Sequence, residues 1–204
     1  YVIVDAIELN SGISQIPYEK SVLKFMENEK YGLIDFEGNV IVKAKYDEIN
    51  SFDYNEGLLL VKKNGKYGII NINGATLLKE EYDKIESDGY YEEGEVKYKK
   101  SGFIVGKDTK KGFKYGYINR DGKEILKEKY EQLARIENSE NNDDIYIVAF
   151  EDGKAGVYKN SEIIIKHEYE DIGYDANNNC LILQKNSKQG LADFNGNVEI
   201  EIKY

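Results

Sequence analysis

The sequence has one cysteine, Cys180, and one histidine, His167. The lone cysteine excludes an intrachain disulfide and a cysteine zinc site, and the lone histidine excludes a histidine metal cluster. There is no tryptophan, Pro17 is the single proline, and no apolar run is long enough to cross a bilayer as a helix. The first residues carry no Met, basic region or cleavage site, so they read as those of a mature or excised fragment. Cationic charge is also short: 28 Lys+Arg stand against 38 Asp+Glu, a net charge of −10. An acidic surface repels phosphates, which argues against nucleic acid and anionic membranes as partners. What remains is 41% apolar residues, 19 glycines and 18 tyrosines over 204 residues, enough for one globular domain or an array of small units.

The array is legible at once. Lys30-Tyr-Gly-Leu-Ile-Asp35 recurs as Lys66-Tyr-Gly-Ile-Ile-Asn71 and Lys114-Tyr-Gly-Tyr-Ile-Asn119, and in degenerate form as Lys154-Ala-Gly-Val-Tyr-Lys159 and Lys188-Gln-Gly-Leu-Ala-Asp193. A second glycine follows the first by six positions at Gly38, Gly74, Gly122 and Gly196. A tyrosine follows by fourteen at Tyr46, Tyr82, Tyr130 and Tyr204, and by thirteen at Tyr169. An acid and, two positions on, an aliphatic residue come next, as in Tyr46-Asp-Glu-Ile49, and Val4-Asp-Ala-Ile7 fits the same slot. Phased on this slot, the whole chain 1–204 is a single array with units near 4–45, 46–81, 82–129, 130–168 and 169–203.

These phrases resemble the bacterial WG-repeat, or KWG-repeat, family, whose core phrase is Lys-Trp-Gly-hydrophobic-Ile-Asp followed by a glycine turn and a Tyr-Asp-x-Ile segment. Tyr31, Tyr67, Tyr115, Ala155 and Gln189 stand in the Trp position, which marks a divergent member. The resemblance implies a repeat scaffold and brings no reaction with it.

Each unit reads as a four-stranded antiparallel meander. In the second, Tyr46–Phe52, 57–63, Lys66–Ile72 and 75–79 are the expected strands, with two-residue turns at Asn64-Gly65 and Asn73-Gly74. Leu126, Tyr130 and Leu133 fall at helical spacing, but the aligned copies are β-branched, so strand is expected there too. Tyr67 and Ile69 alternate with Gly68 and Ile70, giving a strand apolar on both faces, as in a sheet packed between neighbours. The expected fold class is therefore all-β: five tandem four-stranded meander repeats, propeller-like or an open superhelical stack.

Catalytic chemistry is thinly represented. The Lys-Tyr-Gly phrase lacks the glycine run of a phosphate loop. The acids after the tyrosine (Asp5, Asp47, Asp83, Glu131, Glu170) lack the clustered oxygens of a calcium loop. Cys180 has no accompanying base and reads as a buried thiol, and His167 reads as solvated. No cofactor and no metal are expected. Tyr31, Tyr67 and Tyr115 are expected to be mostly buried in place of the family's Trp.

Unit length varies at one place. The tyrosine slot lies 21 residues before the Lys-Tyr-Gly position in the second unit but 33 in the third and 25 in the fourth, with the extra length at 88–101 and 137–144. Insertions in repeat proteins map to loops on one face that often binds, so Tyr90, Tyr91, Tyr98, Glu140, Asp143 and Asp144, with Glu137 beside them, are the candidate partner-binding residues. The sequence thus points to a non-catalytic scaffold binding another protein or a surface polymer. A carbohydrate or cell-wall ligand module and, behind it, an enzyme using channel carboxylates stay open.

Overall fold

A computed structural model describes residues 2–7, 22–53, 56–88, 102–138 and 143–203. All regular structure among them is strand. The first sheet comprises β1 (Val2–Ile7), β2 (Val22–Glu27), β3 (Lys30–Ile34) and β4 (Val40–Tyr46). The second comprises β5 (Glu48–Asp53), β6 (Leu58–Lys63), β7 (Lys66–Asn71) and β8 (Thr76–Tyr82). Next come β9 (Lys84–Ser87), β10 (Gly102–Thr109), β11 (Gly112–Asn119) and β12 (Glu124–Tyr130), then β13 (Gln132–Ile136), β14 (Tyr146–Glu151), β15 (Lys154–Lys159) and β16 (Glu162–Tyr169). The fifth holds β17 (Asp171–Asp175), β18 (Cys180–Lys185), β19 (Lys188–Ala192) and β20 (Val198–Ile200). Strands neighbour one another in chain order in every sheet, so each is the expected meander.

The repeat glycine explains the shape of each sheet. Tyr31 pairs with Tyr46 and Leu33 with Val42, so four residues of β4 span two of β3. The same bulge separates Tyr67↔Tyr82 from Ile69↔Leu78, Tyr115↔Tyr130 from Tyr117↔Leu126, and Ala155↔Tyr169 from Val157↔Ile165. The bulged strand lies against the glycine: a Cβ on Gly32, Gly68, Gly116, Gly156 or Gly190 would sit 2.5–2.8 Å from a carbonyl oxygen of the fourth strand. A bulge needs close backbone approach, and only glycine leaves room for it. The helical spacing of Leu126 and Tyr130 is this bulge, since both residues lie on β12 opposite Tyr117 and Tyr115.

Two local expectations are corrected. Tyr46 does not open a strand; it ends β4, Asp47 bends, and β5 begins at Glu48. Tyr46 is held there by its cross-strand pairing with Tyr31. The turns also divide into two kinds. Asn64 (φ 51°) and Gly65 (φ 80°) are both left-handed, as a type I′ turn requires, and Asp152–Gly153 repeats this. At the second repeat glycine only Gly38, Gly74, Gly122 and Gly196 are left-handed. There the residue ending the phrase closes a wider loop: Gly74 N–H donates to Asn71 O at 2.9 Å and Asn71 N–H to Ala75 O at 2.9 Å.

The chain divides into two compact units, 1–85 and 86–204. In the first, Ile7, Val22, Leu33, Val42 and Tyr46 of the first sheet share a core with Ile49, Leu59, Val61 and Ile70 of the second. In the second, the fourth sheet is covered on both faces. Tyr146 and Val148 of β14 join Leu181 and Leu183 of the fifth sheet, whereas Ile147 and Ala149 join Tyr117 and Tyr130 of the third. Alternation along a strand with two apolar faces produces this directly.

Candidate functional site

The recurring polar residues hold the sheets together. Lys30 is ion-paired with Asp47, Lys66 with Asp83 at 2.5 Å, and Lys114 with Glu131 at 3.4 Å. Glu131 also reaches the next sheet's hairpin, its Oε2 accepting from Gly153 N–H at 2.9 Å. That bond, ahead of the Lys114 pair, holds the Glu131 carboxyl below its usual range, and the Lys30 hydrogen bond does the same for Asp47. The Asp or Asn ending four of the five phrases was not singled out in the sequence, although its recurrence was visible there. Asp35 Oδ1 accepts from Glu37 N–H at 3.0 Å and Asn39 N–H at 2.7 Å, and Asn71, Asn119 and Asp193 repeat the pattern.

The expectation that the Lys-Tyr-Gly tyrosines are mostly buried is corrected. Tyr31, Tyr67 and Tyr115 are half-buried, not core: Lys24 and Lys62 lie over the first two rings at 5.4 and 5.0 Å, and the Phe113 ring lies 5.1 Å from the third. The tyrosines of the second slot, Tyr46, Tyr82, Tyr130 and Tyr169, are the buried ones. Burial, then a hydrogen bond with Glu80, raises the Tyr46 phenol well above its ordinary range. His167 is likewise half-buried instead of solvated. It stacks on Tyr130 with centroids 5.9 Å apart. Its Nδ1 lies 3.1 Å from Lys154 O, which can only accept, so Nδ1 donates there, and Nε2 lies 3.2 Å from the Tyr158 hydroxyl.

Of the sequence-derived candidates, Tyr90, Tyr91, Tyr98 and Glu140 lie outside the described residues. Asp143 is exposed, and Asp144 is ion-paired with Lys159 at 3.1 Å and accepts from Asn160 Nδ2 at 2.8 Å. The root of the first insertion is a buried polar cluster. Asp88, its side chain 2% exposed, is ion-paired with Arg135 at 3.1 Å and accepts from Tyr117 O–H and from Gly102 N–H. Burial, then the Asp88 charge, raises the Tyr117 phenol far above its ordinary range. Arg135 lies in β13, the strand that leads into the second insertion. One buried ion pair therefore joins the roots of both insertions.

The repeat also matches a known family by comparison of the whole sequence. The profile described as WG containing repeat matches residues 31–67, 115–141 and 159–188. These three segments are WG repeats. No curated protein matches the chain.

Two depressions lie in the second compact unit of this WG-repeat chain. One, of ≈ 340 Å³, is lined by Glu86, Ile104, Tyr115, Glu131, Gln132 and Leu133. Its tyrosine and Glu131 belong to the repeat framework. The other, of ≈ 510 Å³, lies where β14 and β15 meet the fifth sheet and is lined chiefly by asparagines and acids. Cys180, a buried free thiol, borders it, and burial pushes that thiol up and away from nucleophilic reactivity. No group of three or more His, Cys, Asp or Glu able to hold a metal occurs among the described residues, and no helix among them is long and apolar enough to cross a membrane.

Proposed function

We propose that this WG-repeat chain is a non-catalytic β-repeat scaffold that holds a macromolecular partner, another protein or a surface polymer, through the insertions at 88–101 and 137–144. The observation that carries this reading is the buried Asp88–Arg135 pair. It fixes the roots of the two segments that depart from the repeat length, while the recurring lysines, acids and asparagines are spent on pairs and turns within the framework. Segments anchored on a rigid frame and freed from its pattern suit recognition. The acids of one insertion and the tyrosines in the sequence of the other suit a basic or mixed protein surface.

A photo-crosslinking residue at Asp143 and a control at Lys43, exposed in the first unit, test this. A discrete adduct in native extract from position 143 alone supports the reading. Equal adducts from both positions, or none from 143, contradict it.

A further inference from the structure

The ≈ 510 Å³ cavity is not explained by the repeat or by the insertions. It falls within the range of small-molecule sites, roughly 300–1,000 Å³, but its wall is unlike an ordinary apolar pocket. Asn138, Asn178, Asn179 and Asn195 line it, above a floor formed by the Tyr146 and Phe194 rings, which meet edge-on at 4.9 Å.

The amides are held in place. Asn138 is buried, its Oδ1 accepting from Asn179 Nδ2 at 3.0 Å. Asp175 fixes Asn178 by accepting from its Nδ2 at 2.7 Å and from its backbone N–H. Asp193 accepts from the backbone N–H of Asn195 at 2.9 Å and from its Nδ2 at 3.5 Å. An asparagine held through its N–H groups keeps its carbonyl oxygen as an acceptor. The oxygens of Asn178 and Asn195 and the carboxylate of Glu199 have no partner among the described residues. Lys159, paired with Asp144, retains ammonium protons as donors.

Charge narrows the ligand. Lys159 is neutralised by Asp144, and Asp193 and Glu199 leave the wall acidic, so anions are repelled. Asp193 is consumed by its turn, so one free carboxylate remains, too few for a hard cation. Hydroxyl groups both donate and accept, and they match a wall of fixed amide oxygens with one carboxylate and one ammonium. We infer that the cavity binds a neutral polyhydroxylated ligand, a mono- or disaccharide unit. This goes beyond the scaffold reading and does not depend on it.

The test follows the asparagine side-chain amide signals by NMR while glucose, N-acetylglucosamine or cellobiose is added, with putrescine as a cationic control. At least one sugar should shift the Asn178, Asn179 and Asn195 signals saturably, with a Kd on the order of 1 mM. The variant combining Asn195→Ala with Glu199→Ala, both exposed positions, should weaken this at least about tenfold while leaving the thermal melt unchanged. Glu199→Gln, which keeps the shape, should weaken it less and provides the comparison if the double variant melts early. No saturable shift with any sugar up to about 50 mM, a response to putrescine alone, or a sugar response that all variants retain would overturn the inference.

Discussion

Gly68 has an ordinary backbone angle and yet no substitute, because Leu78 O and Glu80 N occupy the space a side chain would need, at 2.7 and 2.9 Å from its Cβ position. Gly38 is the opposite case: φ is +90° and nothing lies within 4 Å. Gly68→Ala should therefore cost about 1–3 kcal/mol through overpacking, and Gly38→Ala about 1 kcal/mol through backbone strain. Urea titration of the two variants compares them, and a larger loss at Gly38 would contradict the bulge account. The tyrosines make a second residue-scale contrast. Tyr130, 2% exposed, should cost about 3–5 kcal/mol on truncation to Ala, whereas half-buried Tyr67 should cost roughly half as much. Equal losses would mean that the Lys-Tyr-Gly tyrosine is core after all. Sequence periodicity located both sets of tyrosines but could not rank them, since Tyr31 and Tyr46 occupy the same cross-strand pair and both pack against the core shared with the second sheet.

At the scale of the element, the phrase Lys-Tyr-Gly-x-Ile-Asp/Asn proves to be a strand together with the device that ends it. The last residue accepts two backbone N–H groups of the loop, so Asn71→Ala should destabilise by about 1–2 kcal/mol. Asn71→Asp, which keeps the acceptor as Asp35 and Asp193 do, should be nearly neutral. Thermal denaturation of the pair checks this, and equal losses would contradict it. Strand number, order and hairpin positions were legible in the sequence because the repeat averaged out local noise. It settled Leu126–Leu133 as strand against a helical spacing that a single copy would have favoured. The strand boundary at Tyr46 was not legible, because a bulge adds residues without changing the apolar pattern. The cavity also escaped, since it is assembled across the fourth and fifth sheets from positions whose residue type changes between copies, as Lys159 against Asp193 and Tyr146 against Cys180. The Asp88–Arg135 pair at the roots of the insertions joins residues 47 apart with no motif to announce them.

At the scale of the molecule, two groups of titrating side chains bound the pH range of stability. Asp35 and Asp175, bonded to the Asn39 and Asn178 side chains, Asp47, bonded to Lys30, and Glu131, bonded to the Gly153 N–H, all have lowered pKa values in the folded state. The unfolded chain takes up protons first as pH falls. The stability these groups supply is complete above the unfolded carboxylate range of about 4 and is lost as pH drops through the folded values. Burial raises Tyr46, Tyr117, Tyr130 and Tyr169, so their contribution is complete below about 10 and is lost as pH rises beyond it. With no tryptophan in the chain, tyrosinate absorbance is an uncluttered reporter. Tyr46, Tyr117, Tyr130 and Tyr169 should ionise only together with alkaline unfolding. A single smooth titration of all tyrosines in the folded protein would contradict the buried assignment.

The central claim is that the repeat framework supplies stability and the two insertions supply recognition. Replacing 89–101 and 139–142 with turns of the length found in the second unit, while retaining Asp88, Gly102 and Arg135, separates the two. The account predicts a cooperative thermal melt with retained strand content and loss of the partner crosslinked at position 143. Undiminished partner binding by the folded, trimmed protein would contradict it.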